Sequence, residues 1–376
     1  MERIRLLMDG KVAAGLLPGY AAAVRLGGET HVLVGGHAAV GPGARPVTEE
    51  TLFRIASLTK PMGAALALAL EADGVLTLAD PVDRWLPELA EPRVLTAPDA
   101  PLDSIVAADR AVTVADLLTG VSGWGIAMAD VPVQRAMIER GVHPGPLPLA
   151  LTPDEFVARI GELPLAFQPG AGWRYDTGLD VLGVLLARAA GVPLTDLLAR
   201  RVTGPLGMRD TGFWTIDVDR LATAYQPGPD GLELLDPPDG AFASPPAFPK
   251  LAGGLVSSVG DVLRFFTAMA DGGAPVLAPA QVARLTVDAL TPAQRADAGG
   301  FLGPGTSWGL GTGVDVARVE PWQAPGRWGW TGGTGTDAKV DPVRGIVSVL
   351  LTQRAMTGPE DGPEPFWAAV AAAGRT

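Results

Sequence analysis

Apolar positions in the opening segment, Ile4, Leu6, Leu7, Val12 and Leu16, recur at helical spacing and predict a first helix. The next two apolar stretches, AAAVRL and THVLVGG, flank a Gly-Gly-Glu turn and predict a pair of strands. From Ser57 to Ala72 the pattern is helical again and breaks at Gly74. LTLADPVDRWLPEL then reads as a turn at Pro81 followed by a short irregular helix. Three later helices are announced by a hydroxyl cap with an acid at the third place: Thr113 with Asp116, Thr152 with Glu155, and Ser258 with Asp261. GLDVLGVLLARAAG predicts a fourth, ended by Gly191. After about residue 300 the texture changes to Gly, Trp and Val, and SWGLGTGVDVA, GRWGWTGGTGTDAKVDP and GIVSVLLTQRA predict three strands of a meander. EPFWAAVAAAGR predicts a closing helix. Strands at both ends with helices between them predict an α+β fold: one antiparallel sheet formed from both termini, flanked by helices, with a mainly helical lobe inserted. The chain is expected to be a single domain over 1–376, with an α/β lobe at about 1–55 and 240–376 and the helical lobe at about 56–239.

Composition narrows the function. A chain of 376 residues that is 47% hydrophobic can bury a large core, and its 49 Gly and 35 Pro are spread as turn punctuation rather than pooled in one tract. Net charge is -12 and the arginines are scattered among acids, so the basic stripe of a nucleic-acid binder is missing. With no cysteine, disulfides, thiolate metal sites and cysteine nucleophiles are excluded. The opening residues lack the pattern of a signal peptide, which points to a cytoplasmic protein. The richest apolar run, MGAALALALEADG, meets Glu71 after nine residues, too soon to span a bilayer, so no membrane association is expected.

Candidate chemistry begins at FRIASLTKPM, where Ser57 and Lys60 stand one helical turn apart. A serine hydroxyl needs a neighbouring base to act as a nucleophile. Lysine serves if burial lowers its pKa from about 10.4 toward neutrality, and the apolar run after Met62 is expected to supply that burial. The spacing alone is equally that of a helix-capping serine with a solvated lysine. Histidine occurs only at 31, 37 and 143, without a zinc-binding helix, and no Gly-Xaa-Ser-Xaa-Gly elbow is present. GTGTD and GPGTSWGLG lack the ending of a phosphate loop and read as strand turns.

Longer matches decide between the two readings. FRIASLTKPM, LTLADPVDRWLPEL, TVADLLTGVSG, LAFQPGAGWRYDTGLDVLG, PLGMRDTGF, AGGLVSS, SWGLGTGV and GWTGGTGT follow one another in an order that resembles the serine β-lactamase and penicillin-binding-protein superfamily. The similarity is to its class C-like branch, most of all the family VIII carboxylesterases. It implies a β-lactamase/transpeptidase-like fold, with Ser57 as the acylated nucleophile, Lys60 as its partner and Tyr175 as the family's base and proton donor. Lys60 and Tyr175 are then expected to titrate as a coupled pair, with the lysinium favouring the phenolate. Which of them takes the Ser57 proton stays open. The backbone amides of Ser57 and Gly333 are implied as oxyanion donors.

Departures from the family pattern shape the expected substrate. Trp330-Thr331-Gly332 stands where relatives usually carry a cationic triplet, and a tryptophan favours apolar groups over a substrate carboxylate. Thr177 replaces the asparagine of the Tyr-Xaa-Asn motif and cannot offer a carboxamide. Asp176 between them is expected as a surface turn acid, and Gly120 as structural. Trp124, Trp308 and Trp330 are expected to wall the acyl pocket, covered by residues 124–152. The function implied is hydrolysis of small-molecule carboxylic esters, short-chain or aryl, through an acyl-Ser57 intermediate, with no metal or organic cofactor. Acyl transfer by the same intermediate, cleavage of β-lactams or D-amino-acid peptides, and an inactive ligand-binding homologue are the alternatives.

Overall fold

A computed structural model describes residues 1–374, so Arg375, the last residue of the expected closing helix, lies outside the described residues. The opening helix α1 (Glu2–Ala13) leads into the hairpin β1 (Gly19–Leu26) and β2 (Glu29–Gly36). The short strand β3 (Leu52–Arg54) precedes the long helix α2 (Thr59–Ala72), and α3 (Val114–Thr119) and α4 (Thr177–Ala190) follow in the helical part. The chain returns through β4 (Val256–Ser258), α5 (Val259–Ala270), β5 (Thr306–Trp308), β6 (Gly313–Asp315), β7 (Trp328–Gly332), β8 (Thr336–Asp341), β9 (Ile346–Thr352) and α6 (Glu364–Ala373). All three hydroxyl caps form, with Thr113, Thr152 and Ser258 accepting from the amides of Asp116, Glu155 and Asp261.

The two chain ends meet in one seven-stranded sheet, in the order β2-β1-β9-β8-β7-β6-β5. Antiparallel pairing of β1 with β9, from Tyr20 opposite Thr352 to Leu26 opposite Ile346, joins the N-terminal hairpin to the last strand. Alternation along β1 assigns the faces. Tyr20, Ala22 and Val24 point at α1 and α6, where they pack with Ile4, Met8 and Phe366. Ala21 and Ala23 point the other way into the main core, which contains Leu66, Phe266 and Val349. Helix α2 is buried from Thr59 to Leu70, as a helix apolar on all sides must be. No single described helix is long and apolar enough to cross a membrane.

The expected three-strand meander is five strands, because SWGLGTGVDVA and GRWGWTGGTGTDAKVDP each fold into a hairpin. The reason is local: Gly311 at φ 66° and Gly335 at φ 78° take left-handed turn conformations that divide each run in two.

Two features fix the backbone just before Ser57. Thr334, in the turn between β7 and β8, and Thr336, the first residue of β8, donate their hydroxyls to the carbonyls of Arg54 (2.5 Å) and Ile55 (2.9 Å). Gly332 allows this approach, since a Cβ there would lie 2.5 Å from the Ile55 carbonyl oxygen. From the other side, the Arg54 guanidinium is buried against Asp236, with Nε donating to Oδ2 at 2.7 Å and further bonds to the carbonyls of Ala222 and Pro237. Removing one partner of such a pair strands a buried charge. Asp236→Ala is therefore expected to lower unfolding stability by roughly 3–5 kcal/mol, measured by denaturant titration; a loss below about 1 kcal/mol would mean that Arg54 finds water instead.

Candidate active site

Ser57 sits in a single 3-10 turn, Ala56–Leu58, at the head of α2. Ala56 takes φ 44°, a conformation that a residue with a Cβ adopts only when its surroundings force it, at about 1–3 kcal/mol. One turn on, Lys60 is fully buried, and its Nζ donates to Ser57 Oγ at 2.8 Å and to the Ala252 carbonyl at 2.5 Å. The third neighbour of the amine is Asp176, whose Oδ1 forms an ion pair with it. The Ala252 peptide is held in turn by its N–H, which donates to Asp180 Oδ1 at 2.8 Å.

Asp176 is thus not the surface turn acid that the sequence suggests. Its side chain is only 12% exposed, and its backbone at φ 91°, ψ -61° is strained for a non-glycine residue. This changes the charge state of the lysine. Burial pushes Lys60 down, as expected from the apolar run, but the Asp176 carboxylate, with Tyr175 adding to it, raises its pKa above the ordinary value. Lys60 is an ammonium, not a neutral amine. The signal was present in the sequence: a lysine enclosed by an apolar helix needs a counter-charge, and Asp176 adjoins the tyrosine of the same constellation.

Tyr175 comes in from the segment ahead of α4, with its ring centre 4.4 Å from Lys60 Nζ. Burial raises its pKa; the Lys60 charge opposes this and does not outweigh it. The pull of the lysinium toward the phenolate, expected from the sequence, is present, and the net rise favours the phenol. Trp330 Nε1 donates to Tyr175 Oη at 2.6 Å, so the residue expected as pocket wall also holds the phenol. Phe301, which the sequence did not single out, lies with its ring centre 4.3 Å from that of Tyr175.

Ser57, Tyr175, Trp330, Thr331, Gly333 and Phe301 line one cavity of about 680 Å³. The amides of Ser57 and Gly333 are not taken up by turn hydrogen bonds among the described residues. Other expected lining residues lie elsewhere. Trp124 is packed in the main core, and none of residues 124–152 lines the cavity; Ala136, Met137, Val142 and Leu151 of that segment are buried in the same core. Apolar spacing turned this segment inward. Trp308 stands behind Trp330 in an edge-on contact at 4.6 Å, with its Nε1 donating to the Leu118 carbonyl at 3.0 Å. Thr177 is buried at the start of α4, outside the lining, and Gly332 packs on the Ser57 turn. Gly120 is structural: at φ 76° it ends α3, and a Cβ would lie 2.7 Å from Trp173 Nε1.

A hydrogen bond to a group that gains charge is worth roughly 1.5–3 kcal/mol. Trp330→Phe keeps an aromatic ring but removes the donor to Tyr175, so turnover of an aryl ester is expected to fall roughly 10- to 100-fold. Steady-state kcat measures this, and an unchanged kcat would leave the indole with packing alone.

Comparison with known proteins gives the family and the fold. The Beta-lactamase family model matches residues 4–373. Esterase EstB of Burkholderia gladioli is 36% identical over 340 residues, which is 84% of this chain and 80% of that protein. Among solved structures, EstCE1, described as a hydrolase with promiscuous acyltransferase activity, superposes with a TM-score of 0.85 at 26% identity, covering 100% of this chain and 98% of its own. A mutant of simvastatin synthase LovD from Aspergillus terreus shares the fold, with a TM-score of 0.82 at 22% identity and coverage of 99% and 96%. The chain belongs to the Beta-lactamase family, in the company of its esterase members.

Proposed function

We propose that the chain is a serine hydrolase of carboxylic esters in which Ser57 takes the acyl group, Tyr175 carries the proton and Lys60 stays charged throughout. The observation that carries this reading is the surroundings of Lys60. With Ser57 Oγ, the Ala252 carbonyl and Asp176 around one buried amine, the ammonium has three acceptors and no place for a further proton. As Oγ attacks the ester carbonyl, the Ser57 proton moves to Tyr175 Oη while the phenolic proton moves on to the alkoxy oxygen of the ester, so that Oη never holds two protons. The C–O bond then breaks and the alcohol leaves. Lys60 stabilises the negative charge that develops on Ser57 and Tyr175 during the transfer, and the amides of Ser57 and Gly333 receive the carbonyl oxygen.

Deacylation runs the same path in reverse. Water attacks the acyl carbon, its proton goes to Tyr175, and Tyr175 returns a proton to Ser57 Oγ. The esterase relative supports an ester substrate, and the hydrolase-acyltransferase neighbour supports an alcohol as a competing acceptor in place of water. Trp330 and Phe301 favour an apolar or aryl group beside the phenol.

An activated ester or a fluorophosphonate is expected to leave a mass adduct on the Ser57 peptide, and Ser57→Ala is expected to abolish both adduct and turnover. An adduct mapped elsewhere would refute the assignment. Esters are expected to be turned over far better than nitrocefin, and a reversed order would favour the lactamase alternative.

Asp176 makes a separate prediction. An activity that needs the Lys60 ammonium is complete below the lysine pKa and is lost as pH rises through it. Asp176 raises that pKa, so Asp176→Asn is expected to move the alkaline limb of the kcat–pH profile to lower pH and to reduce kcat on the order of 10- to 100-fold. A limb that stays in place would show that the carboxylate does not set the lysine charge.

A further inference from the structure

The cavity does not end at the phenol. It continues past Trp330 to Arg327, Lys339, Trp322 and Trp367. Lys339 lies on β8 directly opposite Gly329 of β7. Only glycine fits there, because a Cβ would lie 2.0 Å from the Ala338 carbonyl oxygen. Lys339 Nζ comes 5.5 Å from the ring centre of Trp330 and 5.2 Å from that of Trp367. One indole therefore separates it from Tyr175, which takes the Trp330 N–H at 2.6 Å.

Lys339 is 8% exposed, yet among the described residues it donates no hydrogen bond and contacts no carboxylate closely enough for an ion pair. Two of the nearby acids are held by arginines and a third accepts from neutral donors. Asp315 holds Arg327 at 3.1 Å, Asp341 holds Arg344, and Asp337 accepts from Thr331 Oγ1 (2.8 Å) and Trp367 Nε1 (2.9 Å). Glu364 is on the first turn of α6. Lys339 lines the cavity, so the acceptor for its amine has to come from what enters there. Burial lowers the amine to about pKa 8 and Arg327 adds to this, while Asp337, Asp315 and Glu364 offset only part of the shift. It remains mostly protonated at neutral pH and, among the described residues, has two indole faces but no hydrogen-bond acceptor.

We propose that Lys339 marks a subsite for a carboxylate carried by the substrate, so that the esters best suited to this cleft bear an acid group about one aromatic ring away from the scissile carbonyl. The inference rests on the ester-hydrolase reading of Ser57. It also restores, from the neighbouring strand, the positive charge that Trp330 does not supply. Trp330 and Trp367 offer their faces to the spacer between the two ends, a geometry that suits a short alkyl or aryl link.

Two pairs of esters test it on the wild-type protein and on Lys339→Met, which keeps the side-chain length and removes the charge. Mono-4-nitrophenyl glutarate against 4-nitrophenyl valerate places the acid in the acyl group. Acetoxybenzoate against phenyl acetate places it in the leaving alcohol. The wild type is expected to prefer the acid-bearing member of at least one pair by tenfold or more in kcat/KM, mainly through KM, and Lys339→Met to bring that ratio close to one. The preference should also fade as pH rises through about 8, where the amine loses its proton. An acid preference that persists in Lys339→Met, or none in the wild type for either pair, overturns the subsite. If no ester in either pair is turned over, the ester-hydrolase reading fails instead. Quenching of tryptophan fluorescence by glutarate and benzoate then still decides the subsite: saturable in the wild type and weakened at least tenfold in Lys339→Met supports it, and identical titrations refute it.

Discussion

The arrangement depends on a buried ammonium. Moving a lysine head group out of water pulls its pKa down, and Lys60 is wholly buried on a helix with almost nothing polar on it. It is kept charged because three acceptors from three separate parts of the chain converge on it: the hydroxyl one turn earlier, a carbonyl from the segment before β4, and a carboxylate at the head of α4. The strained backbone of Asp176 is accounted for by this convergence, since relaxing it would move the carboxylate off the amine. In the proposed mechanism, charge on Lys60 sets the role of Tyr175: a lysine that takes no proton leaves the phenol as the group that moves one.

The sheet serves this constellation by bracing the turn that carries Ser57. Hydroxyls from the β7–β8 turn and the first residue of β8 hold the carbonyls of Arg54 and Ile55, and the buried Arg54–Asp236 pair holds the same strand from behind. β7 thereby positions both ends of the reaction. Its Gly332 allows the close approach to the Ser57 turn, and its Trp330 reaches the phenol. Because β7 pairs with β8, the strand that orients Tyr175 also lies beside Lys339, which places a second amine of different character along the same cavity. Lys60 is saturated with acceptors; Lys339 has none among the described residues. The first suits a fixed electrostatic element and the second an incoming ligand.

Much of this was legible in the chain. The opening helix, the first hairpin, α2, the three hydroxyl-capped helices and the closing helix all depend on bonds or apolar periodicity within a few residues, and each forms where the pattern indicated. Ser57 and Lys60 are likewise a local pair, one turn apart on one helix, and Tyr175 came with a motif shared across the family. The strands after residue 300 were undercounted because glycine-rich runs carry too few side chains for alternation to show where a strand turns back. Residues 124–152 were expected over the cavity, but their apolar side chains found a larger apolar surface in the helical core.

The sequence by itself determined which groups are available to react and which local elements present them, because hydroxyl caps, helical spacing and glycine turns act over one or two turns of chain. Tertiary structure alone decided their protonation and their neighbours. Whether Lys60 is neutral or charged, whether Trp330 faces substrate or phenol, and whether Lys339 is paired all follow from which distant segments exclude water around them, and a pKa in a buried site is set by that exclusion and by charges brought in from elsewhere in the chain.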